Sequence, residues 1–270
     1  DEAETQAAPS SGKEGDGGAP ADSSQQPLQI GPYRLMRPLG EGGMGIVYLA
    51  AQTEPIKRQV ALKLVRSGLT SEEFLVRFEA ERQAIALMNH VNIAKVFDAG
   101  TTPDGNPYFA MEYAPGMPLK SYCEKEKLGL GKRLDLFLQI CDGVRHAHQK
   151  GIIHRDLKPE NVLLSDNGAG TRPAKISDFG CSKSASMNTL ATQAGAVGTL
   201  AYMSPEAHQR NEYTKKGDVY AFGIMIWELV AGKAPWNGKN MSQIIMAVAI
   251  NKKRPPVPAA TDPPALKDRM

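Results

Sequence analysis

The sequence predicts an α+β protein in which a small antiparallel β-sheet lobe precedes a larger, mainly helical lobe. Two observations support this prediction. Short runs rich in β-branched and aromatic residues, separated by turn residues, occupy positions 33–113, which is typical of strands. After Pro115-Gly116 the apolar residues instead recur at steps of three and four, which is typical of helices.

Residues 1–29 differ in composition from the rest of the chain. They are rich in Ala, Gly, Ser, Pro, Gln and acids and have almost no large apolar residue, so they bury too little surface to offset the entropy of ordering. We expect a disordered acidic arm that serves as a solvated linker or as a regulatory or docking segment. One folded domain is expected over 30–270, with the sheet lobe at 30–114 and the helical lobe at 115–270.

The distribution of charge bears on the ligand. Six acids against Lys13 give residues 1–29 a net charge of −5, so the overall charge of +3 leaves +8 for the remainder. A positive balance of this size suits a phosphate-bearing ligand. Nucleic acid is not indicated as a partner, because the basic residues alternate with acids and form no dense or aromatic-interleaved stripe.

Cysteine content and hydropathy bear on the compartment. Cys123, Cys141 and Cys181 are too few and too scattered for a disulfide framework or a Cys-rich zinc site, which favours a reducing, cytoplasmic or other intracellular location. The longest apolar run, 219–231, is shorter than the roughly 20 residues that cross a bilayer. We expect no membrane span within these residues, while tethering through other regions stays open. No pattern indicates an oligomeric state.

Strand and turn signals define the first lobe. The predicted strands are 33–39, 46–51, 58–65, 93–98 and 108–113. Asp104-Gly105 is a hairpin-turn dipeptide that joins the last two. Thr70 and Glu73 form a capping box, which predicts a helix from about Ser71 to Met88.

Helical periodicity defines the second lobe. One predicted helix ends at Gly151, and its expected buried face consists of Leu134, Phe137, Leu138, Cys141, Val144 and His148. Residues 166–172 predict a hairpin, and the Ser/Thr-rich stretch 181–198 predicts a loop. The run 219–231 is apolar nearly all round, which predicts a central buried helix, and a last amphipathic helix is expected near 241–250.

A glycine-rich segment lies between the first two predicted strands. Its sequence, Gly40-Glu41-Gly42-Gly43-Met44-Gly45-Ile46-Val47, fits the pattern G-x-G-x-x-G-x-V. A dinucleotide fold needs a helix directly after the third glycine, whereas here a strand follows. A glycine loop between strands can offer backbone N–H groups to nucleotide phosphates without side-chain obstruction. Taken alone, the pattern fits an ordinary hairpin turn about as well as it fits a nucleotide-binding loop.

Lys63, on the third predicted strand, has a candidate partner on the predicted helix. Glu81 shares the apolar face of that helix, and a carboxylate in such a place needs a cation. Glu79 lies on a more polar face. We therefore predict an ion pair between Lys63 and Glu81, which would hold the ammonium toward the α- and β-phosphates of a nucleotide.

A dense cluster of charge follows the predicted long helix. It is His154-Arg155-Asp156-Leu157-Lys158-Pro159-Glu160-Asn161, and it is followed by Asp178-Phe179-Gly180 and Ser204-Pro205-Glu206. With the glycine loop and Val60-Ala61-Leu62-Lys63, these motifs resemble the protein kinase family in order and spacing, over about residues 33–258. The resemblance implies a bilobal kinase fold, ATP with Mg²⁺ or alternatively Mn²⁺, and transfer of the γ-phosphate to hydroxyls of protein substrates.

The resemblance also implies a role for each charged residue. Asp156 would accept the proton of the substrate hydroxyl, and Lys158 would neutralise charge on the transferring phosphoryl group. Asn161 and Asp178 would be the oxygen ligands of the metal. Glu160 would contact basic residues of the substrate. The implied catalytic residues are Asp156, Lys158, Lys63 and Glu81.

The implied ATP site is formed by both lobes. Met111 would be the gatekeeper, the backbone of Glu112 and Ala114 would meet the adenine, and its ring would lie among Val47, Ala61 and Leu163. The full set is Leu39, Gly40, Glu41, Gly42, Gly43, Met44, Gly45, Val47, Ala61, Lys63, Met111, Glu112, Tyr113, Ala114 and Leu163. A hydrophobic stack, which the family assembles when active, would consist of Ile85, Val96, His154 and Phe179, anchored by Asp218.

The motifs partly indicate which hydroxyl is phosphorylated. The segment 156–161 resembles the serine/threonine type, and Gly198-Thr199 with Tyr202-Met203 agrees with it. Trp227 and the stretch 233–236 resemble the tyrosine-kinase-like branch, so dual specificity stays an alternative. Two rival functions are a pseudokinase scaffold, which usually lacks one of Lys63, Asp156 and Asp178, and a small-molecule phosphotransferase, which the Ser204-Pro205-Glu206 segment disfavours.

Regulation is implied by Arg155, since kinases with this residue are often ordered by a phosphate in the following loop. The candidate phosphate acceptors are Thr189 and Thr192, ahead of Ser184 and Ser186. Thr199 instead resembles the loop threonine that bonds to Asp156 and Lys158. The family continues beyond the position of Met270, so we expect an incomplete helical lobe without its C-terminal helices. A buried Glu206 without its arginine partner would then lower stability.

Overall fold

A computed structural model of the protein describes residues 28–42, 45–66, 85, 88–165, 173–179 and 196–256. The first lobe is a six-stranded antiparallel sheet of order β1-β2-β3-β4-β6-β5. Its strands are β1 (Gln29–Ile30), β2 (Tyr33–Gly42), β3 (Gly45–Gln52), β4 (Arg58–Val65), β5 (Val96–Thr101) and β6 (Pro107–Glu112). Five strands occur in the predicted order, but the one predicted at 93–98 begins three residues later, at Val96, and β1 is an addition.

Strand alternation decides which side chains of this sheet face the second lobe. On β4, Val60 and Leu62 pack into one apolar cluster with Tyr33, whereas Ala61 packs into a different cluster with Met111. Because successive side chains point to opposite faces of a strand, Lys63 lies on the face of Ala61. The pattern of β4 therefore directs the Lys63 ammonium to the interior of the molecule.

Two glycines in this sheet have an identifiable structural requirement. Gly105 has φ +79° in the turn between β5 and β6, which confirms the predicted Asp104-Gly105 hairpin, since this conformation favours glycine. Gly45 pairs with Val65, and a Cβ atom at Gly45 would lie 1.9 Å from the carbonyl oxygen of Leu64. The third glycine of the glycine-rich motif is thus needed for the close approach of β3 and β4.

The second lobe is mainly helical and carries a small antiparallel sheet of order β7-β8-β9. Its strands are β7 (Gly116–Pro118), β8 (Val162–Ser165) and β9 (Ala174–Ile176). Its helices are α1 (Leu119–Lys125), α2 (Leu130–Gln149), a 3₁₀ turn (Pro159–Asn161), α3 (Ala196–Leu200), α4 (Pro205–Arg210), α5 (Lys215–Ala231) and α6 (Met241–Ile245), which continues as a π-helix (Met246–Ile250). β8 and β9, which flank the hairpin predicted around 166–172, pair antiparallel, and residues 166–172 themselves lie outside the described residues.

Helix α5 is the central helix that the apolar run predicted. It begins four residues before that run because Thr214 caps it: its Oγ1 accepts a hydrogen bond from the N–H of Gly217 at 3.2 Å. It ends at Gly232, which has φ +66°. Among the described residues, no helix is long and apolar enough to cross a membrane.

The expected buried face of α2 is only partly correct: Phe137 and Val144 are buried as predicted. Leu134, Leu138 and Cys141 are exposed, and the buried residues are Leu136, Phe137, Ile140, Gly143, Val144 and Ala147. The reason is close approach: a Cβ atom at Gly143 would lie 2.9 Å from Cδ1 of Ile176 on β9. Small residues carry little weight in an apolar pattern, although here they form the interface.

Three smaller expectations are also corrected. The predicted loop 181–198 ends earlier, because residues 196–200 form α3. Of the helix predicted from about Ser71 to Met88, Ile85 is helical and Met88 lies in irregular structure, and residues 71–84 and 86–87 lie outside the described residues. The last helix, predicted near 241–250, is α-helical only to Ile245.

Candidate active site

Lys63 and Asp178 form an ion pair where the two lobes meet. Nζ of Lys63 lies 2.6 Å from Oδ1 of Asp178, and the two side chains are 9% and 21% exposed. Asp178 follows β9 and has φ +64°, a conformation uncommon for a non-glycine residue. Burial raises the pKa of Asp178, but the charge and hydrogen bond of Lys63 outweigh it and hold that pKa below its usual value. The carboxylate is therefore ionised.

Asp156, Lys158 and Thr199 form a second polar cluster. Nζ of Lys158 lies 3.0 Å from Oδ2 of Asp156 and donates a hydrogen bond to Oγ1 of Thr199 at 2.9 Å. The charge of Lys158 also lowers the pKa of Asp178, so the two clusters adjoin. A carboxylate, an ammonium and a hydroxyl thus converge beside the ion pair.

Asn161 connects these two clusters. Its Nδ2 donates to the carbonyl oxygen of Asp156 at 2.7 Å, and its own carbonyl oxygen accepts from the N–H of Ser177 at 2.8 Å. The 3₁₀ turn Pro159–Asn161 places this side chain, which is buried. Asn161 consequently ties the segment of Asp156 to the residue that precedes Asp178.

Asp218, at the start of α5, holds the backbone of the same segment. Its Oδ2 accepts from the N–H of His154 at 2.8 Å and contacts Nε2 of His148 at 2.7 Å, and its Oδ1 accepts from the N–H of Arg155 at 2.9 Å. Burial raises its pKa, but these hydrogen bonds and the His154 ring lower it below the ordinary value. Arg155 has φ +70°, so the central helix fixes a strained turn directly before Asp156.

A cleft between the lobes leads to Asp178. The sequence-predicted ATP residues that line it are Leu39, Gly40, Val47, Ala61, Met111, Glu112, Tyr113, Ala114 and Leu163. Of the remaining ATP residues, Glu41 forms an ion pair with Arg66, Gly42 and Gly45 end β2 and begin β3, and Gly43 and Met44 lie outside the described residues. The sheet and the segment after β6 therefore converge on one opening.

The expected hydrophobic stack lies behind the cleft. Ile85 and Phe179 belong to one buried cluster, with Val96 packed against it, and the ring centroids of His154 and Phe179 are 4.6 Å apart. Asp218 bonds to the backbone of His154. The ring contact of His154 with Phe179 and its anchor on Asp218 are thus present, and Ile85 and Val96 belong to the apolar cluster that contains Phe179.

The donor set at the end of the cleft fits a hard divalent cation. Asp178 is ionised, and Asn161 uses its amide nitrogen toward Asp156, which leaves its amide oxygen as the atom of that group suited to a metal. Mg²⁺ prefers oxygen ligands, keeps several waters and needs few protein groups when phosphates complete its shell. The residues present fit such an ion together with a nucleotide.

Several predicted site residues are not part of this arrangement. Glu81, the expected partner of Lys63, and the candidate phosphate acceptors Thr189 and Thr192 lie outside the described residues. Glu206 does not fulfil its expected burial: it is exposed in the first turn of α4. Because its carboxylate is not buried, the expected cost of a buried unpaired charge does not apply to this arrangement.

Sequence reasoning missed two ion-pair systems near the cleft. Lys175 on β9 lies 2.7 Å from Oε1 of Glu112 at the end of β6. Lys120 on α1 lies 2.8 Å from Oε1 of Glu228 on α5. Only Glu112 was a predicted site residue, and it was predicted through its backbone. The partners in each pair are far apart in sequence, so no local pattern could have revealed the pairs.

The hydrogen bonds of His154 define a neutral imidazole. Its Nε2 lies 2.9 Å from the carbonyl oxygen of Ser177, and its Nδ1 accepts from the N–H of Asp156 at 3.2 Å. A proton on Nδ1 would break the second bond. Burial lowers the pKa of His154 below its ordinary value, against the opposing charges of Asp218 and Asp156.

Stability should consequently depend on His154 at mildly acidic pH. Below about pH 6.5 the unfolded histidine takes up a proton that the folded one does not, so stability present above that pH is lost as pH falls toward the lowered folded pKa. We expect the Tm of the wild type to fall between pH 7 and pH 5 more steeply than that of His154→Phe. Equal slopes of Tm against pH would contradict this assignment.

The chain is similar to proteins of one known family. The model of the family described as "Protein kinase domain" matches residues 33–266. The serine/threonine-protein kinase Pkn1 of Myxococcus xanthus is 37% identical over 253 residues, which cover 92% of this chain and 36% of Pkn1. PrkC of Bacillus subtilis (strain 168), also named a serine/threonine-protein kinase, is 36% identical over 218 residues, covering 80% of this chain and 33% of PrkC.

A third relative and a solved structure are also similar to this chain. The serine/threonine-protein kinase PknA of Mycobacterium tuberculosis (strain ATCC 25177 / H37Ra) is 36% identical over 246 residues, 88% of this chain and 55% of PknA. This chain therefore spans between about a third and about half of the length of these curated relatives. The crystal structure of the M. tuberculosis PknI kinase domain superposes with a TM-score of 0.64 at 26% identity, covering 80% of this chain and 79% of that structure.

Proposed function

Because this chain belongs to the protein kinase domain family, we propose that it is an ATP-dependent serine/threonine protein kinase that acts in signalling. The observation that carries the proposal is the convergence of Asp156, Lys158 and Asn161 on the Lys63–Asp178 pair at the end of the cleft. These are groups that can position a hydroxyl, a phosphoryl group and a divalent cation within one space.

Each group in this space has a defined task in the proposed reaction. Asp156 orients the substrate hydroxyl and accepts its proton, and Lys158, 3.0 Å from that carboxylate, offsets negative charge on the transferring phosphoryl group. Lys63, on the cleft face of β4, is placed to bind nucleotide phosphates. We also propose that Glu81 forms an ion pair with Lys63 and so holds its ammonium toward the phosphates.

Asn161 and Asp178 are proposed to hold Mg²⁺, with Mn²⁺ as an alternative. When bound, the cation supplies charge neutralisation at the phosphates. The protein contributes an ionised Asp178 carboxylate, kept in that state by Lys63, and an Asn161 side chain fixed by Asp156. These residues therefore present oxygen ligands without first having to release a proton.

The substrates are proposed to be proteins bearing serine or threonine. The relatives of the chain are named serine/threonine-protein kinases, and Lys158 binds the hydroxyl of Thr199 on α3. That contact holds the segment after Thr199 next to Asp156, where a substrate chain would lie. Control by phosphate at Thr189 or Thr192, sensed through Arg155, is proposed on the same family resemblance.

The proposal is tested by incubating the purified protein with MgATP and generic protein substrates, followed by phosphoamino-acid analysis. We expect phosphoserine and phosphothreonine in the substrate. Absence of transfer would support the alternative of a scaffold that signals by contact alone. Phosphotyrosine as the sole product would overturn the serine/threonine assignment.

A further inference from the structure

Lys120 holds an unusual position beside the proposed active site. It is the second residue of α1, and its Nζ donates a hydrogen bond to Oε1 of Glu228 on α5 at 2.8 Å. Glu228 is only 3% exposed, whereas the Lys120 side chain is 32% exposed. The ammonium therefore covers a buried carboxylate and is itself open to solvent.

The second oxygen of Glu228 accepts a hydrogen bond from the hydroxyl of Tyr202. Burial, reinforced by this hydrogen bond and by the charge of Glu228, raises the pKa of Tyr202 far above its ordinary value, so the phenol is a neutral donor. Tyr202 lies three residues after Thr199, whose hydroxyl meets Lys158. Lys120, Glu228 and Tyr202 consequently form one network under the segment that flanks the acceptor site.

Glu160 brings a second carboxylate to the same network. It is exposed, it lies between Lys158 and Asn161 in the chain, and it lines the cleft opening together with Gly116 and Pro118. The negative charge of Glu160 contributes to raising the pKa of Lys120 and that of Tyr202. Burial alone would lower the pKa of Lys120, but the hydrogen bond and charge of Glu228, with smaller contributions from Glu124 and Glu160, raise it. The ammonium thus contacts Glu228 and lies in the field of two further carboxylates, Glu124 on α1 and Glu160 at the cleft opening.

We propose that Lys120 is a specificity-determining residue for the protein substrate, and the proposal rests on the proposed kinase function. Its ammonium is paired with Glu228 and follows the cleft-lining Pro118 by two residues in the chain, so it occupies the place in which an arginine or lysine of a substrate would otherwise be attracted to Glu228 and Glu160. A second cation there meets like-charge repulsion, whereas an acidic or neutral side chain does not. The kinase therefore discriminates against substrates with a basic residue near the acceptor hydroxyl.

The test uses pairs of serine peptides that differ only in carrying Arg or Glu at one flanking position, moved through each position in turn. The measured quantity is the ratio of kcat/KM for the Arg peptide to that for the Glu peptide. A ratio within one variant cancels any loss of folded enzyme. The variants are Lys120→Gln, Lys120→Arg, Glu160→Gln, the double variant Lys120→Gln/Glu160→Gln and, as matched control, Lys125→Gln, an exposed lysine on the same helix.

The wild type is expected to have a ratio below one at the position nearest Lys120. Lys120→Gln should raise that ratio about 3- to 10-fold, as expected for a partly exposed charge contact, and adding Glu160→Gln should reverse most of the rise. Glu160→Gln alone removes a negative charge that offsets the Lys120 ammonium. The ammonium should then repel an arginine of the peptide more strongly, so the ratio should fall. Lys120→Arg and Lys125→Gln should leave the ratio unchanged.

An unchanged or lower ratio in Lys120→Gln at every position would overturn the proposal, as would an equal rise in Lys125→Gln. Because Glu160 is exposed, Glu160→Gln tests the idea even if Lys120→Gln does not fold, and a higher ratio in Glu160→Gln would also contradict it. Failure of the wild type to phosphorylate any peptide or protein would instead reject the proposed kinase function, and this proposal with it.

Discussion

Asp156→Asn is expected to reduce the rate of phosphate transfer to protein substrates by about 10²- to 10⁴-fold, the range of a positioned general base. The amide keeps the shape of the side chain but removes the charge that faces Lys158 at 3.0 Å. It can still bond to Asn161, so the local backbone should be retained. The measurement is kcat with saturating ATP, accompanied by nucleotide affinity, which should change little.

The matched control for this variant is Asp135→Asn, an exposed acid on α2. It changes the overall charge by the same amount and should leave kcat within a factor of two, since surface substitutions away from special features have small effects. If Asp156→Asn transferred phosphate at the rate of this control, Asp156 would not be the residue that handles the substrate hydroxyl.

Asp178→Asn should lower the transfer rate by about 10³-fold, because loss of metal-assisted charge stabilisation costs several kcal/mol and each 1.36 kcal/mol is tenfold. The substitution also leaves the Lys63 ammonium, 9% exposed, without the carboxylate that lies 2.6 Å from it. The dependence of the residual rate on Mg²⁺ concentration should shift to higher concentrations. Both readouts follow from one steady-state titration.

Asp104→Asn, in the exposed turn between β5 and β6, is the control for Asp178→Asn. It should preserve the wild-type rate and the wild-type dependence on Mg²⁺. A rate reduction in Asp178→Asn with an unaltered Mg²⁺ dependence would contradict the metal assignment and would point to the Lys63 pairing alone.

Much of the fold follows from local patterns. The strands of the first lobe were predicted because alternation and turn dipeptides are local signals, and Gly105 lies in the predicted turn. The buried face of α2 was predicted only in part, because Gly143 contributes to it through its close approach to Ile176. That contact depends on packing between distant segments, which an apolar pattern along one helix does not record.

The residues of the candidate site likewise include some that local motifs predicted and some that they did not. Motif order predicted Asp156, Lys158 and Thr199 as neighbours, and the structure brings their polar atoms within hydrogen-bond distance. The pairing of Lys120 with Glu228 joins residues 108 positions apart. Nothing in either local sequence specifies the partner, since only the packing of α1 on the 3₁₀ turn and α5 brings the charges together.

Residues 154–161 and Asp178 are proposed to form a site that moves the γ-phosphate of ATP to a protein hydroxyl. Parallel incubations of one protein substrate with γ-labelled and α-labelled ATP, using the wild type and Asp156→Asn, measure this transfer. We expect label on serine or threonine only from the γ position and only with the wild type. Label from the α position, or equal γ-labelling by Asp156→Asn, would refute the assignment.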